Sequence, residues 1–136
     1  MPFATSIDNS ILDHFTAKTP WTSPAATYVG LSSTTPTKAG ANVTEPSTGG
    51  YVRQQVTAAQ WDAAASSATA NNAEKAFPQA TADYVAGANL THMVIYTAST
   101  AGTFLGFKAL TVAKPVLNGD TAKFPIGDID LAMGGT

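Results

Sequence analysis

Two histidines, nine acidic residues and a scatter of serines and threonines are the groups this chain offers for chemistry. His14 and His92 lie far apart in sequence and in no His-x-x-x-His spacing, so neither has a partner to make it a metal ligand or a general base. No serine stands in Gly-x-Ser-x-Gly between a strand and a helix, so there is no nucleophile elbow. Cysteine is absent, which removes thiolate nucleophiles, disulfides and zinc ribbons together. Asp120, Asp128 and Asp130 are the one carboxylate cluster. Asp128 and Asp130, two apart on an extended chain, share a face and would take Ca²⁺ if backbone carbonyls joined them; otherwise they form a solvated outer face. The Gly-Gly pairs at 49 and 134 lack the Lys-Ser/Thr partner and the helix of a phosphate cradle. Trp21 and Trp61 stand beside loops, where an indole could stack on a sugar, but the aromatics are spaced singly, as core residues are. The expectation is no catalytic residue, no metal site and no cofactor, hence not an enzyme.

The elements that would position these groups are mainly β. A short helix is expected over 6–17, with Thr5 as its cap and Asp8 three residues on. Phe3, Ile7, Ile11 and Phe15 recur every four residues as an apolar stripe with Leu12 at its margin. That stripe either packs on the chain's own sheet or anchors it to a partner. Thr27-Tyr28-Val29-Gly30-Leu31-Ser32 reads as a strand. From Ser33 to Gly50 runs a loop with Pro36, Gly40, Pro46, Gly49 and Gly50, and a connection of this length is usually functional or mobile. Lys38, Asn42 and Glu45 within it join Phe3, Ile7, Ile11 and Phe15 as candidate interface residues.

The stretch 51–60 alternates, Val52, Val56 and Ala58 against Tyr51, Arg53, Gln55 and Thr57, and the pattern leaves open which side meets the core. Residues 62–73 read as extended or loop and lead to a short strand over 74–77, halted by Pro78. Two β-rich runs, 90–96 and 103–110, flank a small-residue turn at Gly102 and predict a hairpin, with Leu90, His92, Val94 and Tyr96 on one face. Asn118-Gly119 between short apolar runs predicts a second hairpin with a primed turn. A last strand is expected over 128–133. Seven or eight short antiparallel strands with a turn about every 8–12 residues predict a single-domain β-sandwich or jelly roll over 1–136, with an N-terminal helical segment over 1–20 and a surface loop over 33–50.

Composition bears on partners. A chain of 136 residues buries roughly 68% of its unfolded surface and needs no staple. Charged residues make up 12% of it, about half the ~25% of ordinary domains. An exterior so poor in charge offers little repulsion between copies and favours ordered packing in an assembly. The net charge is -2 and the basic residues do not cluster, which argues against nucleic acid. Apolar runs such as Met93-Val94-Ile95-Tyr96 fall far short of the ~20 residues of a membrane span. Met1 to Asp8 has neither the basic nor the apolar region of a signal peptide.

The order of Tyr51-Val52-Arg53-Gln54, then Asn72 to Phe77-Pro78, then Thr91 to Tyr96, then Gly119-Asp120-Thr121 resembles a family of small tailed-bacteriophage virion proteins labelled capsid decoration, head fibre or tail fibre proteins. Relatives more often carry Asp-Ala after the aromatic where Thr97-Ala98 stands here, so a role for that acidic residue does not carry over. The resemblance implies a virion structural protein, not known as an enzyme. The leading expectation is a capsid decoration (cement or head-fibre) protein that binds the major capsid protein or other virion subunits, as a homo-oligomer with a trimer favoured, on the capsid surface. A tail fibre or a carbohydrate-binding host-recognition module is the alternative.

Overall fold

The computed structural model describes residues 2–133; Met1 and the Gly-Gly pair at 134, each read above, lie outside them. The protein is mainly β, with eight strands and one α-helix among the described residues. Helix α1 spans Thr5–Phe15. The strands are β1 (Thr27–Ser32), β2 (Gln54–Val56), β3 (Ala68–Ala70), β4 (Lys75–Ala76), β5 (Leu90–Tyr96), β6 (Phe104–Lys114), β7 (Lys123–Phe124) and β8 (Asp130–Ala132), with a 3₁₀ turn at Ala58–Gln60. All pairings are antiparallel: a four-stranded sheet in the order β2-β1-β5-β6, and two ribbons, β3 with β8 and β4 with β7.

Val29 and Leu31 of β1 and Met93 and Ile95 of β5 face Phe77, Tyr84, Phe124 and Ile129 from the ribbons and their flanks, and this is the core. Tyr51 stacks on Phe77 with centroids 5.7 Å apart and meets Tyr84 edge-on at 5.5 Å. The opposite sheet face carries a second aromatic row, Tyr96, Phe104, Phe107 and His92. Val94 on that face is fully buried. The loop over 33–50 packs against it: a Cβ at Gly40 would sit 3.2 Å from the Phe104 ring. Both faces of the sheet are therefore covered, which explains why β5 reads as a nearly continuous apolar run.

Several expectations shift. The helix starts one residue early, with Ala4 in the cap position and no side-chain cap; Asp8 turns instead to Lys38 Nζ at 2.6 Å. Ala4 is 2% exposed and its N–H donates to the Leu105 carbonyl of β6 at 2.9 Å, so the residue before the helix is held by the sheet edge rather than by a side-chain cap. Residues 51–53 are not in β2, and there Val52 is exposed while Tyr51 and Arg53 point inward. Leu90 does not share a face with His92 and Val94: the pairing with β6 slips between Leu90 and His92, and this bulge returns Leu90 to the core with Met93 and Ile95. Residues 62–71 form a small hairpin with Ser66 and Ser67 at positive φ, and its second arm is β3.

Asn118-Gly119 is a turn but not a primed hairpin turn. Only Gly119 has positive φ (91°), and the Asp120 N–H closes on the Leu117 carbonyl at 2.9 Å, the type II pattern. The flanking segments pair outward, Tyr84 N–H to the Val116 carbonyl and Phe77 N–H to the Ala122 carbonyl, rather than with each other. Of the last strand, Asp128 lies in the turn before β8, so Asp128 and Asp130 are not paired on one strand face.

Candidate functional site

The most organised polar site lies where the 33–50 loop, the approach to β2 and the β5–β6 turn meet. Arg53, its side chain only 8% exposed, donates from Nε to Glu45 Oε1 at 2.9 Å and from Nη2 to Glu45 Oε2 at 2.5 Å, a bidentate pair. Its Nη1 donates to the carbonyls of Ala98 (3.0 Å) and Ala101 (2.7 Å), and the guanidinium lies 3.5 Å over the Tyr96 ring. The Tyr51 hydroxyl donates to Glu45 Oε1 at 2.7 Å and accepts the Leu31 N–H at 2.9 Å, taking the place of a strand partner where β2 does not reach. Gly30 makes room for this, since a Cβ there would sit 2.6 Å from the Tyr51 hydroxyl and 2.7 Å from Glu45 Oε1.

Burial opposes the Arg53 charge, but the hydrogen bonds and charge of Glu45 outweigh it and hold the guanidinium protonated beyond its ordinary range. Burial first, then the Glu45 charge, pushes the Tyr51 phenol well up. Among the described residues no buried side-chain polar atom lacks a partner, and the arrangement ties the loop, the turn and the sheet to one another. Thr97 closes the same turn, its Oγ1 accepting the Thr103 N–H at 2.9 Å.

The long loop is held throughout. The Ser33 N–H reaches the Thr44 carbonyl at 3.0 Å, and Asn42, at φ 59°, donates from Nδ2 to the Thr35 carbonyl at 2.8 Å. Lys38 binds α1 through Asp8, and its carbonyl accepts the Thr5 N–H. Of the three loop candidates, Glu45 and Asn42 are thus engaged within the chain, and Lys38 is tied to α1.

The stripe on α1 divides. Phe3 and Ile7 pack against the sheet, and Ile11 is half-buried. Past that point the helix leaves the body: Leu12 is 61% and Phe15 86% exposed, and Trp21 follows at 38%. Beside Trp21 a small apolar cavity of about 140 Å³ is lined by Phe3, Ile7, Pro24, Ile95 and Leu105. A larger cleft of about 720 Å³ opens between the second half of β6 and the 115–130 segment, over Leu90, Met93 and Phe124, with Lys108 paired to Asp130 at its rim.

The remaining sequence candidates are dispersed. His14 Nδ1 accepts the Trp21 N–H at 3.2 Å. His92 packs beside Phe107, and burial lowers its pKa. Trp61 donates its indole N–H to Thr27 Oγ1. Among the described residues no group of three His, Cys, Asp or Glu could hold a metal ion, and no helix is long and apolar enough to cross a membrane. The buried ion pair was missed by pattern reading; its one signal was the Tyr-x-Arg-Gln string, where an arginine sits inside an otherwise apolar and polar-neutral run. Asn71 was missed as well. Fully buried, it donates to the Ala73 and Pro125 carbonyls and accepts the Ile129 N–H, fastening the turn before β8.

Fold and network together define a mainly β protein whose 33–50 loop and 97–102 turn are clamped to one another and to the sheet. The chain belongs to the podophage GP4 fiber I protein gp80 family, whose model matches residues 2–132, and so it is a small virion protein of a tailed phage. No curated protein matches it.

Proposed function

We propose that the protein is a repeated fibre subunit on the outside of the phage particle, acting by binding rather than turnover and attached to neighbouring virion subunits, its own copies included, through the free end of α1. The observation that carries this is the exposure of Leu12 and Phe15 at the end of a helix whose first half is packed on the sheet, with Trp21 also exposed in the segment that follows. Full burial of one such side chain contributes about 1.5–3 kcal/mol, which the isolated chain forgoes here. The weakly charged surface, 12% of residues, adds little repulsion against close packing. On the capsid the partner is the major capsid protein; on the tail it is a tail subunit.

The test is a Leu12→Ser/Phe15→Ser variant carried by the phage. Both side chains are in solvent, so folding is retained, and occupancy on purified particles, counted by quantitative mass spectrometry, should fall several-fold. Full occupancy refutes the anchor, and a protein absent from wild-type particles refutes the fibre reading. Electron microscopy of the same particles shows whether head or tail carries the density. Deleting residues 1–18 is a poorer test, because it also uncovers the edge of β6.

A further inference from the structure

We infer that in the assembled fibre the N-terminal arm, residues 2–15, is exchanged between copies, so that the arm of one chain lies along β6 of the next; this rests on the multi-copy reading above. The site of exchange is visible because the arm already occupies it within one chain. Phe3 bridges Gly106 in antiparallel pairing, the Ala4 N–H donates to the Leu105 carbonyl at 2.9 Å, and the Phe107 N–H donates to the Pro2 carbonyl at 3.2 Å. The arm is thus a short extra strand on the free edge of the sheet. The Thr5 N–H to the Lys38 carbonyl, the Asp8–Lys38 ion pair and the burial of Ile7 complete the docking. The hydrogen-bond and ion-pair partners in that set, Leu105, Gly106, Phe107 and Lys38, belong to sequence far beyond the arm, so a second copy presents the same partners.

The segment joining the arm to β1 is suited to crossing. Among the described residues, hydrogen bonds made by 16–26 run only back to the last turn of α1: Thr16 to Leu12, Lys18 and Thr19 to Asp13, and Trp21 to His14. They travel with the helix wherever it goes. Fully extended, residues 16–26 span about 36 Å, and no hydrogen bond among the described residues ties 22–26 to the rest of the chain.

Position-specific crosslinking on a chain that is naturally free of cysteine tests this. Chains carrying only Asp8→Cys are co-produced with chains carrying only Lys38→Cys, assembled on particles and treated with a short bis-maleimide; the two native side chains are solvent-accessible, so neither substitution disturbs the core. Exchange predicts chains linked between position 8 of one and position 38 of another, identified by peptide mapping, and loss of the link when the assembly is dissociated before treatment. A second pair, Phe3→Cys with Gly106→Cys, reads the same contact by direct disulfide formation, since these are antiparallel neighbours. If the doubly substituted Asp8→Cys/Lys38→Cys chain links only within itself on particles, and mixed chains never link 8 to 38, exchange is overturned while the fibre reading stands. A protein absent from particles overturns the fibre reading instead.

Discussion

Replacing Glu45 by Gln removes the carboxylate that neutralises Arg53 while keeping the shape of the side chain. Arg53 stays 8% exposed and charged, with Ala98, Ala101 and the Tyr96 ring still around it. Removing one partner of a buried pair costs about 3–5 kcal/mol because the other charge is left uncompensated. Gln retains one acceptor oxygen and Glu45 is itself 21% exposed, so the expected cost is the lower end, about 3 kcal/mol. At roughly 3–4 °C per kcal/mol for a chain of this size, the melting midpoint should fall by about 10 °C. Thermal unfolding followed by near-ultraviolet circular dichroism reads the shift. Arg53→Met in the Glu45→Gln background should recover part of the loss, giving a coupling energy of at least ~1 kcal/mol in the double-mutant cycle. A midpoint within 2 °C of wild type, or additive single losses, would refute the clamp.

Gly30→Ala should be nearly as harmful as Glu45→Gln, because its Cβ meets the Tyr51 hydroxyl and Glu45 Oε1 at 2.6 and 2.7 Å, and the two losses should not add; additive midpoints would mean that the glycine acts elsewhere. Gly49→Ala should destabilise more than Gly119→Ala: both have positive φ, but a Cβ at Gly49 lies 2.4 Å from the Ala82 carbonyl oxygen and one at Gly119 meets nothing within 4 Å. The second cost is backbone strain alone, about 1–2 kcal/mol, and equal losses in urea unfolding would contradict the packing argument. Burial raises the phenol pKa of Tyr51, Tyr84 and Tyr96, so the stability they supply is complete below about pH 10 and is lost as the pH rises past it, when unfolded tyrosines release protons that the folded ones hold. The slope is about 1.4 kcal/mol per pH unit for each such tyrosine. Tyr51→Phe should flatten it in alkaline titration of stability, and an unchanged slope would remove Tyr51 from the account.

The long strands were legible in the sequence because burial and period coincide there. In β1 and β5 the residues that the pattern selects, Val29, Leu31, Met93 and Ile95, are the residues that the core uses. Pattern failed where backbone irregularity intervenes: the slip at Leu90/His92 rotates a side chain to the other face without changing composition, and nothing in the letters marks it. It failed again at 51–53, where inward Tyr and Arg alternate with an exposed valine and hydrophobicity points the wrong way. The loop was legible as a loop, but its order was not. Ser32, Asn42 and Glu45 hold it through contacts to Thr34, Thr35 and Arg53 that no local rule announces.

These failures share a cause that bears on how the molecule works. A chain with so few charges invested its most buried one, Arg53, in fixing the 33–50 loop and the 97–102 turn to each other and to the sheet. Both loops are thereby removed from the list of surfaces that change shape on assembly, because moving either exposes a paired charge or strands it unpaired. What remains unfixed is the end of α1 and the segment behind it, where hydrogen bonds are local and large apolar side chains stand in solvent. Rigidity in the body and freedom behind α1 are complementary requirements for the fibre subunit proposed above: its body would present the same surface in every copy, and its arm would find a neighbour. Hydrogen exchange of the isolated protein should show the amides that close the clamped loops, Ser33, Thr97 and Thr103, protected to nearly the global unfolding limit, while those of the 16–21 segment, bonded only to the last turn of α1, exchange by local opening well before it. Comparable protection in the two segments would mean that the arm is as fixed as the body, and exchange between copies would then have no hinge.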